Sequence, residues 1–218
     1  MQAGILNLDK PQGMTSHDVV NVVRRITGIR KVGHAGALDP LATGVLLICV
    51  GQATRLAEYL SASHKQYQAT VRLGIVTDTY DADGRVVDAS PVQLTREQVE
   101  AGLDRFRGVI RQVPPMYSAI KQHGVPLHRL AREGIVVERE ERQVHIVELE
   151  MTDWAPPSFS LRATCSAGTY IRSLAHDLGQ YLGCGAHVTH LLRTASGSFS
   201  LEQAVPLREL SRENWLSH

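Results

Sequence analysis

One carboxylate stands in a segment built to turn sharply. In Lys31-Val-Gly-His-Ala-Gly-Ala-Leu-Asp-Pro-Leu-Ala-Thr-Gly44, Asp39 is the only acid, and Gly33, Gly36, Gly44 and Pro40 punctuate the backbone around it. Ala37, Leu38 and Leu41 offer apolar surface and no counter-charge. Asp39 is therefore either an Asp-Pro turn residue or a carboxylate in a partly dry cleft, able to act as nucleophile or base. Partners elsewhere must decide. Arg172 falls in the first turn of a helix, where the macrodipole is positive and a cation is poorly placed unless an anion meets it. Tyr67 stands at the entrance of a strand, where a phenol can pack as core or project into a cleft.

Other constellations carry less. Cys184-Gly-Ala-His187-Val-Thr-His190, with Asp177, offers zinc-ligand types, but structural zinc favours paired clusters, and Gly183 with Gly185 suits a helix stop. Asp78-Thr-Tyr-Asp-Ala-Asp-Gly84 resembles a calcium loop only faintly. Aligning Gly84 with the invariant glycine puts Thr79 first and Ser90 last, without the terminal glutamate, so an acidic turn between strands fits better. No metal site is expected. A single carboxylate in the loop also argues against glycoside hydrolysis, which uses two.

The elements that must position these residues are legible in part. Ile5 to Pro11 alternates as a short strand, and Thr15 with Asp18 has the spacing of a capping box opening a helix with Val19, Val20, Val22, Val23 and Ile26 inward and Gly28 as its stop. Val45 to Val50 has the composition of a buried strand behind the loop. Residues 52–62 suit a helix with Leu56, Ala57 and Leu60 inward. Lys65 to Leu73 places Tyr67, Ala69, Val71 and Leu73 on one face. A second capping box, Thr95 with Gln98, opens another helix carrying Val99, Leu103 and Phe106. Residues 113–142 form a cation-rich surface excursion with a short helix near 127–132, and residues 143–151 and 158–165 are strands. The helix holding Arg172 runs to about Leu182, and an amphipathic segment at 201–210 closes the chain.

The bulk numbers set limits. A chain of 218 residues with 43% hydrophobic residues can bury a real core. No apolar run approaches a membrane span, and Met1-Gln-Ala-Gly-Ile-Leu lacks the features of a signal peptide, so a cytoplasmic protein without a membrane partner is expected. Three widely spaced cysteines, Cys49, Cys165 and Cys184, suit reduced thiols. A net charge of +1 does not itself announce a nucleic-acid binder.

Five ordered motifs carry a resemblance: Leu8-Asp-Lys-Pro11 with Gly13-Met-Thr-Ser16, Gly33-His-Ala-Gly-Ala-Leu-Asp-Pro-Leu-Ala-Thr-Gly44, the Tyr67 strand, Pro115-Met-Tyr-Ser-Ala-Ile-Lys121 and Gly168-Thr-Tyr-Ile-Arg172. Together they resemble the bacterial tRNA pseudouridine synthase B family, which isomerises uridine-55 in the T loop of tRNA. The resemblance implies an α+β pseudouridine synthase fold, with a mixed, mostly antiparallel sheet flanked by helices and a central RNA-binding cleft. It implies one catalytic domain over residues 1–210, with residues 113–142 as a thumb-like RNA-contacting insertion. Residues 211–218 are then a short tail, without the small RNA-binding PUA domain of many relatives. The implied activity uses no cofactor and no obligate protein partner; a monomer acting on tRNA, or its T-arm stem-loop, is expected.

By motif match Asp39 takes the catalytic aspartate role, Tyr67 that of the aromatic stacked on the target base, and Arg172 that of the arginine paired with the aspartate. His34 resembles the histidine that fills the space left by the flipped nucleotide, and Leu191 a leucine lining the uracil pocket. Lys10, Gly36, Lys121 and Tyr170 are expected at the substrate. Phosphate contacts are expected from Arg24, Arg25, Lys31, Lys121, Arg129 and Arg132. The chemistry suits these roles, since a base detached from its sugar must be held in a closed pocket and the flipped position must be filled. Attack on the anomeric carbon, attack on the uracil ring and a glycal route all stay open. So does the choice between proton removal and stacking for Tyr67, because an ordinary phenol, with pKa near ~10, is a poor base at neutral pH. Ala35 and His128 depart from the family pattern, where threonine and tyrosine are common. A noncatalytic RNA-binding or tRNA-folding module on the same fold is the rival reading.

Overall fold

The computed structural model describes residues 3–217; Met1 and Gln2 of the amino-terminal stretch and His218 of the tail lie outside the described residues. Contacts divide the chain into two compact units, each discontinuous in sequence. One takes the chain up to Gln68, Thr164–Ala167 and Leu191 onward; the other takes Ala69–Ala163 and Gly168–His190. From sequence, residues 1–210 are treated as one domain, because nothing local marks points where a strand passes from one unit to the other.

Along the chain come β1 (Gly4–Lys10), α1 (Ser16–Thr27), β2 (Val32–Ala35), β3 (Thr43–Val50), α2 (Ala57–Ala62), β4 (Lys65–Leu73), β5 (Ile75–Thr77) and β6 (Val86–Ala89). There follow α3 (Arg96–Asp104), β7 (Gly108–Gln112), β8 (Lys121–Gln122), β9 (Val125–Pro126), α4 (Leu127–Arg132) and β10 (Arg142–Ala155). The last are β11 (Ser158–Cys165), α5 (Ile171–Tyr181), β12 (Ala186–Ser196), β13 (Phe199–Ser200) and β14 (Val205–Pro206). The sheet is mixed and mostly antiparallel.

In the first unit β3 is the axis. Seven of its eight residues are buried, and it pairs antiparallel with β1 along one edge and β2 along the other. Near its start, Thr43 and Gly44 pair in parallel with Leu192 and Arg193 of β12. That approach is close: a Cβ on Gly44 would lie 2.2 Å from the Arg193 carbonyl oxygen, so only glycine fits. Ala35, Val45, Leu47 and Cys49 form a core covered by Ala57 and Leu60 among others. Thr15 and Asp18 make the expected reciprocal capping box, and Gly28 ends α1 in the left-handed conformation.

The second unit is built on β10, whose start pairs with β7, from Arg142 opposite Gln112 to Ile146 opposite Gly108. Phe159, Leu161 and Ala163 of β11 and Ala69, Val71 and Leu73 of β4 point into its core, as their alternation requires. Thr95 and Gln98 cap α3, which buries Val99 and Leu103. The expected excursion at 113–142 is pinned by buried Met116, Ser118 and Leu127, and holds the β8–β9 hairpin and α4.

Three expectations change. The segment after β3 opens as a 3-10 turn, Gly51–Leu56, whose tighter winding turns Leu56 outward to 47% exposure. His34, expected on a loop, lies on β2. Residues 186–196 form an eleven-residue strand where sequence shows no clean alternation, because β12 is buried on both faces for part of its length.

Candidate active site

The loop around Asp39 is held by its carbonyl groups. Arg193 Nη2 donates to the Gly36 oxygen at 2.9 Å and Nη1 to the Ala37 oxygen at 3.3 Å. Ser16 Oγ donates to the Leu38 oxygen at 3.1 Å and accepts from the Leu38 N–H at 2.8 Å. The Asp39 oxygen accepts from Ala42 N at 3.1 Å, and the Pro40 oxygen from Gly13 N at 2.8 Å and Lys10 Nζ at 3.3 Å. Every carbonyl from Gly36 to Pro40 is thus satisfied. A turn so fixed holds the backbone that carries Asp39 in one conformation.

Two of the anchoring cations are wholly internal. Arg193 is 1% exposed and also donates from Nε to the Val45 oxygen at 2.6 Å. Lys10 is 0% exposed and donates to the oxygens of Pro11 at 2.8 Å and Met14 at 2.7 Å besides Pro40. Lys10, expected at the substrate, ties the end of β1 to the loop through these carbonyls. Lys65, also buried, donates to the carbonyls of Leu60, Ser61 and Ser63 and closes the C-terminus of α2. Burial, and then Arg193, bring its pKa down to about 8.

Tyr67 is buried on β4. Its phenol pKa is raised, first by burial and also by the negative charge of Asp39, against the positive charge of Arg193. At neutral pH Tyr67 is therefore an uncharged phenol. His34 sits half-buried, its Nδ1 without a hydrogen-bond partner, and its pKa is lowered by burial, then by Arg193 and His17. It too is neutral at pH 7. Leu191 is buried at the edge of this unit. Gly36 has φ 76°, and a Cβ there would lie 3.6 Å from both Arg193 Nη1 and Lys65 Cε. The first unit thus holds Asp39, Tyr67, His34, Gly36 and Leu191, with Arg193 bonded to the Asp39 loop and its charge felt by Tyr67 and His34.

Arg172, Tyr170 and Lys121 belong to the second unit. Arg172 is 2% exposed in the first turn of α5, as expected, and its Nη1 lies 3.4 Å from Asp81 Oδ2. Nη1 also donates to the Thr79 oxygen at 2.7 Å and Nη2 to the Tyr117 oxygen at 3.0 Å. The 78–84 turn between β5 and β6, expected only as an acidic surface feature, therefore supplies a buried carboxylate to the arginine. Asp81 is itself oriented by Thr79 Oγ1 at 2.6 Å and the Asp83 N–H at 3.1 Å. The helix start is docked by Gln112, whose amide accepts from Tyr170 N at 2.8 Å and donates to Tyr170 O at 3.0 Å. Lys121, Arg129 and Arg132 are exposed, as are Arg25 and Lys31, whereas Arg24 donates to the Val32 oxygen at 2.9 Å.

Sequence reasoning missed Arg193 and Asp81 as members of these clusters. A signal existed for each: a lone arginine in an apolar strand, and a loop with three aspartates for a helix whose first turn holds a cation. His187 Nδ1 lies 3.0 Å from the Ile75 oxygen, and Cys184 Sγ donates to the Gly185 oxygen at 3.3 Å. Among the described residues no three His, Cys, Asp or Glu side chains gather as a metal site, and no helix is long and apolar enough to cross a membrane.

Comparison with known proteins places this arrangement. Residues 24–171 match the N-terminal domain of TruB family pseudouridylate synthase, and residues 172–218 match the tRNA pseudouridylate synthase B C-terminal domain. The tRNA pseudouridine synthase B of Stutzerimonas stutzeri (strain A1501) is 52% identical over 96% of this chain and 69% of its own length. That of Symbiobacterium thermophilum is 53% identical over 95% of this chain and 71% of its own. Among solved structures, a Cbf5-Nop10-Gar1 complex matches 95% of this chain with TM-score 0.75 and 33% identity. An H/ACA RNP bound to a substrate RNA containing 2'-deoxyuridine also matches 95%, with TM-score 0.71 and 30% identity. This chain spans about half of each of those two solved chains, 53% and 52%. The chain belongs to the TruB family of pseudouridylate synthases.

Proposed function

We propose that this chain converts uridine to pseudouridine at position 55 in the T loop of tRNA, with Asp39 as the catalytic carboxylate. The observation that carries the proposal is the unbroken run of satisfied carbonyls from Gly36 to Pro40, which holds the backbone of the loop's one acid in the same unit as a buried, neutral tyrosine that its charge reaches. The family match and the tRNA enzymes among the relatives supply the substrate class.

The reaction breaks the bond between uracil N1 and ribose C1', forms one from C5 to C1', and moves the C5 proton to solvent while N1 takes one up. Uracil must stay in place while detached, which asks for covering groups as much as for a nucleophile. Tyr67, with its pKa raised, covers the extruded ring and does not take the proton. His34, neutral at pH 7, enters the space left by the flipped nucleotide without bringing a charge into the base stack. Leu191 and Gly36 border the uracil, and the φ of 76° at Gly36 favours glycine there. Arg172 takes the family's arginine role, and Tyr170 precedes it at the start of its helix. Lys121, Arg129 and Arg132 meet phosphates.

The test is a map of pseudouridine in unmodified tRNA after incubation with the protein, beside the same tRNA carrying cytidine at position 55. Pseudouridine at position 55 of the first RNA, and nowhere in the second, is expected. Product at other positions, or none in either RNA, contradicts the proposal.

A further inference from the structure

The contact between α5 and the 78–84 turn has two points, and only one of them is the ion pair. Residues 172 and 176 lie one helical turn apart on the same face of α5. Tyr80 and Asp81, consecutive on the turn, meet them in order: the Asp81 carboxylate faces Arg172, and the Tyr80 ring stacks on His176 with centroids 3.8 Å apart and an interplanar angle of 12°.

Three features mark the stack as more than incidental packing. Tyr80 has φ 64°, a left-handed conformation that a bulky side chain adopts only when its surroundings compel it. His176 makes no hydrogen bond through its buried Nδ1, and burial, then the charge of Arg139, lower its pKa, so its ring is a neutral flat surface. The backbone of the turn is fixed at the same place, with Ala82 N donating to the Val188 oxygen at 2.9 Å and Val188 N to the Tyr80 oxygen at 3.0 Å. The stack adds to the ion pair a second side-chain contact with α5, one helical turn away.

We propose that Tyr80 and His176 are a positioning pair for the isomerisation, setting the direction of the Arg172 guanidinium through Asp81 and the Thr79 carbonyl. The inference rests on the role given to Arg172 in the proposed function. Neither ring touches substrate in this account; both act through the arginine.

The experiment measures kcat and KM for pseudouridine formation in a T-arm stem-loop, with Tm, for the wild type, His176→Ala, His176→Phe and Tyr80→Gly. His176→Ala is expected to lower kcat about 10-fold or more at a KM within about twofold. His176→Phe, which keeps a flat ring, is expected to return kcat to within about threefold of wild type. Tyr80→Gly removes the ring and relieves the positive φ, so kcat should fall while Tm holds or rises. Wild-type kcat in His176→Ala or Tyr80→Gly would overturn the proposal, as would loss of kcat that only follows loss of Tm and that phenylalanine fails to restore. An inactive wild type would overturn the functional reading and this inference together; an active wild type with indifferent variants overturns this inference alone.

Discussion

In the first unit Lys10, Lys65 and Arg193 are buried and each donates to three backbone carbonyls, whereas in the second the buried Arg172 is held by two carbonyls and the Asp81 carboxylate. The first arrangement uses cations to shape backbone, including that of the loop carrying Asp39, the proposed catalytic residue. The second uses backbone and a carboxylate to aim a cation. Burial, and then the charge of Arg193, brings the Lys65 pKa down to about 8 and also lowers that of His34. Arg172 has its charge met by Asp81. Loss of a holder should therefore damage shape in the first unit and direction in the second.

The largest effect separates these outcomes. Arg193→Met leaves the Gly36, Ala37 and Val45 carbonyls without their buried donor and should cost about 3–5 kcal/mol of stability in urea unfolding, with activity lost alongside. Asp81→Asn keeps the shape of the holder and removes its charge, so kcat should fall about 10- to 100-fold with a smaller loss of stability. Equal damage to stability from both changes would break the contrast between the units. Tyr67→Phe sharpens it further. If the phenol only covers the base, single-turnover isomerisation stays within about threefold of wild type, and a loss of about 100-fold would restore a proton-transfer role.

The smallest effect lies outside both clusters. Burial on α5 raises the Asp177 pKa to about 6. Its folded value exceeds its unfolded one, so the folded state binds the proton more tightly, and stability falls as pH rises from about 4 through 6. Asp177→Asn should remove that slope, raising Tm at pH 7.5 by about 1–3 °C and leaving Tm at pH 4 nearly unchanged. Because the carboxylate is partly exposed, solvent screens the effect and keeps it small.

What could be seen in the sequence follows the same division. Capping boxes at Thr15 and Thr95, the alternation of Lys65 to Leu73 and the lone acid of the glycine-punctuated loop are local patterns, and the structure carries each helix and strand where they put it. The holders are not local. Arg193 reaches carbonyls 156 and 157 residues away, and Arg172 reaches one 93 residues away, distances over which periodicity carries no information. Lysines are seldom fully buried unless their N–H groups are satisfied, and the three carbonyl partners of Lys10 cannot be read from the motif that contains it. Asp81 was masked by its own neighbours, since three aspartates in one turn are ordinarily a solvated surface.

The assignment of Asp39 can be tested with one substitution that leaves every carbonyl contact of its loop in place. Single-turnover conversion of uridine-55 in a T-arm stem-loop is measured for the wild type and Asp39→Asn, with tRNA affinity measured beside it. The account predicts conversion by the wild type and a loss of at least about 1,000-fold in the variant at nearly unchanged affinity. Conversion by Asp39→Asn at a rate near that of the wild type would contradict it.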